Sequence, residues 1–282
     1  MESTELEQHQ TTAIPTFSIL VPSYNPGQFF EEAIESALSQ LRDGDELLIQ
    51  DACSDDGTVD KINEFERRDA RVRAVVERDS GQSDALNRAL ARSTSEWILW
   101  LNADDVLLPG ALQALRAAIV KTPGVQIVSG DHEILRVGGD SVDVYRGHKL
   151  CRPYLLKVGC ASFSGSIAVR TDLLRELGGF RVDLHCTMDY ELQFRLADSG
   201  RPQVHVNTPI GALRFHEASK SGNLWKTFVK ETALLRMQYA RTPAEKALGL
   251  RGTALHVVSI PIFKLRLTKG YRRARRWIRP NL

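Results

Sequence analysis

Two adjacent carboxylates, Asp104 and Asp105, follow a run of apolar residues in the segment EWILWLNADD, residues 96–105. The apolar run predicts a buried strand, so the two carboxylates lie at the edge of a core, where like charges repel and are costly to desolvate. A divalent cation would offset this cost, because Mg²⁺ commonly takes one or two carboxylates and leaves its other positions to phosphate oxygens and water. One carboxylate can then hold a metal while its neighbour faces a sugar or ribose hydroxyl.

Polar residues follow three further predicted strands in the same way. The segments are Pro22-Ser23-Tyr24-Asn25 after the first strand, Asp51 after the second, and Asp79-Ser80-Gly81-Gln82 after the third. Any one of these segments is typical of an ordinary turn. Together they predict a site for a cation or a hydrogen-bonding ligand, because ligands bind at the carboxyl ends of parallel strands. The chain has neither GxxxxGK[ST] nor GxGxxG, which excludes a P-loop and a dinucleotide fingerprint.

The elements that must position these residues alternate between strand and helix. Strands are predicted at FSILVPS, DELLIQD, VRAVVE and EWILWL, and the first helix is predicted to open at Asn25 and Pro26. This alternation predicts an α/β fold with a mostly parallel central sheet and helices on both faces. Further along, we predict a hairpin over 132–145, strands over 161–169, 203–206 and 210–215, and a helix from Met188 to Ala197.

The composition stays uniform across both halves, which favours one α/β domain over residues 16–220. The polar segment 1–15 is predicted to be disordered, and residues 221–282 are predicted to form a C-terminal helical extension. The charge is uneven: ten Lys or Arg and no acidic residue occur after Glu245, which leaves 27 basic and 35 acidic residues in the rest. The protein is therefore an acidic body with a basic tail.

Plotted as a helix, the tail from Arg266 onward places its basic residues on one face and Trp277 with other apolar residues on the other. This pattern suits an anionic membrane surface, although a helix docked on the body is an alternative. We expect no nucleic acid as partner, because no recognised module accompanies the basic segment. The four cysteines lack metal-ligand spacing and the N-terminus lacks signal-peptide character, so we expect a cytoplasmic protein, peripheral at the inner face of the membrane.

Five separated motifs resemble family 2 nucleotide-sugar glycosyltransferases of the A-type fold. They are VPSYNPG, QDACSDDGT, DSGQSDALNRAL, WLNADDVLLPGAL and GGFRVDLHCTMDYELQFRL, in the family's order over about residues 17–216. The resemblance implies an inverting transferase that uses a nucleoside diphosphate sugar and Mn²⁺ or Mg²⁺. The acceptor would be a glycan or a lipid-linked acceptor.

The resemblance also implies roles for single residues. Carried over by position, the donor would contact Pro22, Tyr24, Asp51 at the nucleobase, Asp79 at the nucleoside, Asn102, and Asp104 at the ribose or sugar. The metal would be held by Asp105 and His216, and Asp189 would be the general base. Asn102 stands where several relatives have an aspartate.

Two other functions fit the same pattern of acids on an α/β sheet. One is a nucleotidyltransferase, although the segment after the first strand lacks the basic, glycine-rich character that a triphosphate would need. The other is a nucleotide-sugar-binding protein without catalysis. Without the resemblance, Asp189 is equally a carboxylate that interacts with the dipole of the helix it begins. Glu191 is the next candidate for the base.

Overall fold

The computed structural model describes residues 14–136, 141–215 and 224–267. The strands are β1 (Phe17–Ser23), β2 (Glu46–Asp51), β3 (Val72–Val76), β4 (Trp97–Trp100), β5 (Val106–Leu107), β6 (Ile127–Arg136), β7 (Ser141–Tyr145), β8 (Ile167–Arg170) and β9 (Gln203–Phe215). The helices are α1 (Phe30–Leu38), α2 (Thr58–Arg68), α3 (Gln82–Arg92), α4 (Ala111–Lys121), α5 (Arg152–Lys157), α6 (Thr171–Glu176), α7 (Met188–Asp198), α8 (Trp225–Tyr239) and α9 (Pro243–Leu267). Two short 3₁₀ helices cover Gly27–Phe29 and Ser164–Ser166.

All described strands belong to one sheet with the order β3-β2-β1-β4-β8-β6-β9-β5, and β7 pairs with β6. The pairs β1–β2, β1–β4, β2–β3 and β6–β9 are parallel. The pairs β4–β8, β5–β9, β6–β7 and β6–β8 are antiparallel. Counted by paired residues the sheet is mostly parallel, which confirms the prediction.

The directions of the strands bring many chain segments to one edge of the sheet. Because β8 runs antiparallel to both β4 and β6, strands β6 and β9 point the same way as β1 to β4. The carboxyl ends of all these strands, and the start of β8, therefore meet at one edge. We call it the carboxyl edge, and every site residue predicted before position 110 lies on it or in the loops that leave it.

Helices cover both faces of the sheet, as predicted. Along β1, Ile19 packs with one core cluster, while its neighbour Leu20 packs with the other. The first cluster contains Ile34 of α1, and the second contains Leu86 of α3. This alternation follows from the geometry of a strand, whose successive side chains point to opposite faces.

Several predicted boundaries are wrong. The first α-helix begins at Phe30 instead of Pro26, because Asn25 takes a left-handed conformation (φ 48°) and a 3₁₀ helix intervenes. The side chain of Asn25 exchanges hydrogen bonds with Asp55 in the next loop instead of capping a helix. The strand predicted from residue 161 begins only at Ile167, after a 3₁₀ helix.

The predictions for the second half of the chain are otherwise close. The hairpin is confirmed as β6 and β7, although Gly138 and Gly139 lie outside the described residues. The two strands predicted over 203–215 are one strand, β9, whose register shifts against β6 near residue 209. The helix predicted from Met188 is α7.

The described part of the extension packs on the body. A Cβ on Gly252 of α9 would collide with the carbonyl oxygen of Leu156 in α5, so α9 approaches α5 closely at this point. Arg152 forms ion pairs with Asp198 and with Glu245. The predicted disordered segment falls almost wholly outside the described residues, and so does the tail beyond Leu267. Within the described ranges, no helix is both long and apolar enough to cross a membrane.

Candidate active site

Asn102 is the centre of a hydrogen-bond network at the end of β4. Its Oδ1 accepts from Trp100 Nε1 at 2.8 Å and from Gln82 Nε2 at 2.7 Å. Its Nδ2 donates to Oδ2 of Asp105 at 2.7 Å. Two donors on the amide oxygen fix the orientation of the amide, so its nitrogen must face Asp105. Gln82 opens α3, which means that the loop after β3 and the turn after β4 are joined here.

Asp105 is buried, with 1% of its surface exposed. Its second oxygen, Oδ1, accepts from the backbone N–H of Arg214 in β9 at 2.7 Å. Burial raises the pKa of Asp105 well above its usual range, and the neighbouring Asp104 raises it further, against the two hydrogen bonds that lower it. An ionised Asp105 therefore gains from any cation that binds beside it.

The oxygen donors at this turn fit a hard cation. Asp104 is half-buried beside Asp105, and its carbonyl oxygen accepts from Nε of Arg214 at 3.1 Å. In the described ranges, no group of three or more His, Cys, Asp or Glu side chains lies close enough to hold a metal. A pair of carboxylates suits Mg²⁺ or Mn²⁺ when phosphate and water complete the shell. The predicted ligand His216 lies outside the described residues, directly after β9.

Asp51 lies at the end of β2, as predicted, but its carboxylate is fully buried. It accepts hydrogen bonds from Ser23 Oγ at 2.7 Å, from Ser54 Oγ at 2.7 Å and from the backbone N–H of Ser54 at 2.8 Å. Cys53 takes a left-handed conformation (φ 64°), which turns the chain so that Ser54 faces Asp51. In this structure Asp51 holds the loops after β1 and β2 together.

The other predicted donor residues surround this loop pair. Tyr24 is 68% exposed directly after β1, and Pro22 is buried within β1. Asp79 is half-buried, and its Oδ1 accepts from the backbone N–H of Gly81 at 2.9 Å. Desolvation raises the pKa of Asp79, and the negative charge of Asp51 is one of the smaller causes. The two acids are thus close enough to interact.

Asp189 lies in the first turn of α7 and lines a small cavity of about 30 Å³ between α7 and the strands β4 and β8. Apolar side chains, among them Ile98, Trp100 and Phe180, form most of the wall. Burial in these surroundings raises the pKa of Asp189 to about 6, although its Oδ1 accepts from the backbone N–H of Tyr190 at 2.7 Å. A carboxylate with this pKa is ionised at neutral pH and still accepts a proton readily.

The cavity and the carboxylate pair share one residue. Trp100 lines the cavity that contains Asp189, and its indole N–H donates to Asn102, which in turn holds Asp105. The structure therefore links Asp189 and Asp105, which are far apart in sequence, through Trp100 and Asn102 at the end of β4.

Glu191 is not available as a base. It is 1% exposed, and Arg195 binds both of its oxygens at 2.9 to 3.0 Å. Tyr239 of α8 also donates to it at 2.6 Å. These contacts use Glu191 to hold α7 against α8.

Glu231 of α8 was missed by the sequence analysis. Its carboxylate accepts from the backbone N–H groups of His185 and Cys186 at 2.9 and 3.0 Å, and from Thr187 Oγ1 at 2.9 Å. It thus fixes the loop that leads into Asp189. No local signal could have indicated this role, because Glu231 lies more than 40 residues from its partners. Arg214 was missed as well, although it lies two residues before the predicted ligand His216.

Comparison with known proteins assigns this chain to a family. The sequence profile described as Glycosyl transferase family 2 matches residues 18–165, more than half of the chain. The chain belongs to this family. Its match includes both the NADD turn and the loops that hold Asp51.

Curated relatives share parts of the chain. The putative teichuronic acid biosynthesis glycosyltransferase TuaG of Bacillus subtilis is 37% identical over 92 residues, which is 32% of this chain and 36% of TuaG. The uncharacterized protein y4gI of Sinorhizobium fredii is 31% identical over 184 residues, which is 64% of this chain and 20% of that protein. Hyaluronan synthase of Pasteurella multocida is 24% identical over 203 residues, 72% of this chain and 21% of the synthase. The chain thus matches a fifth to about a third of the length of these relatives.

Solved structures confirm the fold. TarS of S. aureus, residues 1–349 in complex with UDP-GlcNAc, superposes with a TM-score of 0.65 at 17% identity, over 91% of this chain and 77% of that one. The mannosyltransferase PcManGT of Pyrobaculum calidifontis, in complex with GDP-Man and Mn²⁺, gives 0.62 at 20% identity, over 93% and 83% of the two chains. The predicted A-type glycosyltransferase fold is therefore confirmed.

Proposed function

We propose that this protein is a metal-dependent inverting glycosyltransferase. It moves a sugar from a nucleoside diphosphate sugar to a hydroxyl of a glycan or lipid-linked acceptor, in the synthesis of a cell-surface polysaccharide or glycolipid. The observation that carries the proposal is that Asp189 lines the same cavity as Trp100, whose indole N–H binds Asn102, which in turn binds Asp105. It brings a carboxylate with a raised pKa close to a pair of acids suited to a divalent cation.

In this proposal Asp105 and His216 hold Mn²⁺ or Mg²⁺, and Asp104 contacts the ribose or the donor sugar. A bound metal would stabilise negative charge on the leaving diphosphate. Two features of the chain support these roles. Burial and the neighbouring Asp104 raise the pKa of Asp105 in spite of the nearby Arg214, so a cation beside the ionised carboxylate would be favourable. The metal named with PcManGT is Mn²⁺, and that protein shares this fold.

Asp189 acts as the general base and removes the proton from the acceptor hydroxyl as that oxygen attacks the anomeric carbon. Inversion follows, because the hydroxyl attacks from the side opposite the leaving diphosphate. The apolar wall around Asp189 excludes water, which would otherwise compete with the acceptor. The nucleotide lies over the loops after β1 to β3, where Pro22, Tyr24, Asp51 and Asp79 are located. To contact the base, Asp51 must exchange one of its contacts with Ser54 for the ligand.

Incubation of the purified protein with a panel of nucleotide sugars, including UDP-GlcNAc and GDP-Man, tests the proposal. We expect one donor to be hydrolysed slowly with Mn²⁺ and to remain intact with EDTA. Asp189→Asn should bind the same donor and release sugar more slowly. Binding without any turnover would indicate a nucleotide-sugar-binding protein, and release of inorganic diphosphate from a nucleoside triphosphate would indicate a nucleotidyltransferase. Either result would overturn the proposal.

We further propose that the C-terminal extension binds the anionic inner face of the cell membrane. Helix α9 exposes four apolar side chains over two turns: Leu250, Leu255, Val257 and Val258 are 46% to 62% exposed. Arg251 lies exposed among them, and six further Lys or Arg follow between residues 269 and 279. Each basic residue near an anionic surface contributes about 1 kcal/mol, and salt screens the attraction.

Co-sedimentation with vesicles tests this contact. We expect full-length protein to sediment with vesicles of phosphatidylcholine and phosphatidylglycerol at low salt, and less at high salt. Truncation after Leu267 or the substitution Val257→Glu should reduce sedimentation, while Val120→Glu on the exposed face of α4 should not. Equal sedimentation of all four proteins would mean that the extension does not bind the membrane.

A further inference from the structure

We propose that the rings of Tyr145, His132 and Phe163 form a platform on which pyranose rings of the acceptor glycan stack. This inference rests on the proposed function and names the part of the site that receives the acceptor. The platform would take flat, β-linked sugar units with equatorial hydroxyls, because such rings present an apolar C–H face to an aromatic ring.

The three side chains form a continuous row of rings. His132 of β6 and Tyr145 of β7 are cross-strand partners, and their rings stack with centroids 5.5 Å apart and an interplanar angle of 16°. On the other side, the rings of His132 and Phe163 lie 5.8 Å apart at 42°. All three residues are half-buried, so part of each side chain remains accessible to solvent beside its neighbours.

The row begins next to the cavity that Asp189 lines. Phe163 directly precedes Ser164, which lines the cavity that contains Asp189. The row then crosses to the carboxyl-terminal half of β6, at the same edge of the sheet as the NADD turn. A glycan whose terminal hydroxyl reaches Asp189 would therefore continue over Phe163, His132 and Tyr145.

Two glycines hold Phe163 in this position. A Cβ on Gly165 would lie 2.6 Å from Cε1 of the Phe163 ring, and a Cβ on Gly211 would lie 3.4 Å from the same atom. The ring thus lies against the backbone of the 3₁₀ helix and β9, where larger residues would displace it. A ring fixed in this way binds a sugar without first losing rotational freedom.

The chemistry of His132 suits a neutral sugar. Burial lowers the pKa of His132 to about 4, so the imidazole is uncharged at neutral pH. Its Nδ1 is buried and has no hydrogen-bond partner in the described part of the chain. An uncharged ring in this place packs against Tyr145 and Phe163 and keeps the row free of charge, so that the row presents an apolar aromatic surface to a sugar.

Saturation-transfer NMR with cellotetraose tests the platform on full-length protein with UDP and Mn²⁺. We expect transfer to the C–H protons of the tetrasaccharide, and none to sorbitol, which has hydroxyls but no ring face. Tyr145→Ala should weaken the apparent affinity about three- to tenfold, the usual scale for one aromatic contact. Tyr145→Phe should bind like wild type, and Trp225→Ala, an exposed ring on α8, serves as the matched control.

The outcomes separate this inference from the proposed function. No transfer to cellotetraose in wild type, or equal affinity of Tyr145→Ala and Tyr145→Phe, would overturn the platform even if a nucleotide sugar is hydrolysed. Ring-dependent binding of cellotetraose without turnover of any donor would leave the platform intact and overturn the enzymatic function. Circular dichroism of Tyr145→Ala shows whether its loss of binding comes from unfolding, and in that case Phe163→Leu is measured in its place.

Discussion

Nδ2 of Asn102 donates a 2.7 Å hydrogen bond to Oδ2 of Asp105, while Oδ1 of Asn102 accepts from Trp100 and Gln82. The amide of Asn102 can therefore donate a hydrogen bond to Asp105. A carboxylate at position 102 could not do so without a metal between the two groups, because two carboxylate oxygens at this distance would repel. Asparagine at position 102 is therefore compatible with an intact acidic turn.

Asn102→Asp should lower the free energy of unfolding by about 1–3 kcal/mol without metal, since it replaces a hydrogen bond to a buried acid with a repulsive contact. Mn²⁺ should restore much of this loss, because a cation can bridge the two carboxylates. Urea denaturation with and without Mn²⁺ measures both effects. Asn63→Asp on the exposed face of α2 is the control. An equal loss in both conditions would show that Asn102 has only a packing role.

Asp105→Asn should abolish Mn²⁺-dependent donor binding, because a neutral amide is a poor substitute for a hard anionic ligand. Isothermal titration calorimetry measures the binding of the nucleotide sugar that the donor panel identifies. One titration contains Mn²⁺ and the other contains EDTA. Asp172→Asn, an exposed acid at the opposite edge of the sheet, should bind like wild type. Wild-type binding by Asp105→Asn would remove Asp105 from the metal site.

Asp189→Asn should leave donor affinity nearly intact and lower transfer roughly 10²-fold or more, the usual scale for a positioned base. In wild type, transfer should fall about tenfold per pH unit below the pKa of about 6, because the protonated acid cannot accept the acceptor proton. Initial rates between pH 4.5 and 8 measure this limb. A rate that is independent of pH through 6 would assign the base to another group.

The same carboxylate should also affect stability. The pKa of Asp189 is raised on folding, from 3.8 to about 6, so the folded state binds the proton more tightly than the unfolded state. Asp189 therefore destabilises the fold above pH 6, and this effect disappears as the pH falls below 4. Asp189→Asn should melt a few degrees higher than wild type at pH 8 and at nearly the same temperature at pH 3.5. A difference in melting temperature between variant and wild type that stays constant from pH 3.5 to 8 would contradict the raised pKa.

Glu231→Ala should slow transfer about tenfold and leave donor affinity unchanged, because the loop before Asp189 loses three hydrogen bonds to the Glu231 carboxylate and Asp189 is held less firmly. Glu231→Gln keeps one acceptor oxygen and should lie between Glu231→Ala and wild type. Steady-state kinetics and donor titrations separate the two effects, with Glu64→Gln on α2 as the exposed control. Loss of donor affinity and rate together would indicate general unfolding.

The parallel half of the sheet was predictable because its signals are local. Alternating strands and helices, and the polar residues after Ser23, Asp51 and Trp100, lie within short stretches of sequence. The roles of Arg214 and Glu231 were not predictable, because each touches residues distant in sequence. The burial of Asp51 was not predictable either, because it depends on how the loops after β1 and β2, which are distant in sequence, fold against each other.

The central position of β4 has a consequence for synthesis on the ribosome. One edge of β4 pairs with β1, and its other edge pairs with β8. Strand β8 begins at Ile167, 67 residues after β4 ends at Trp100, so this second edge stays unpaired until β8 has been synthesised. At usual translation rates this interval lasts roughly 3 to 13 seconds. The first four strands can assemble during that time, with one edge of β4 open to pair with a neighbouring nascent chain. The yield of folded protein should therefore depend on how fast residues 101–166 are translated.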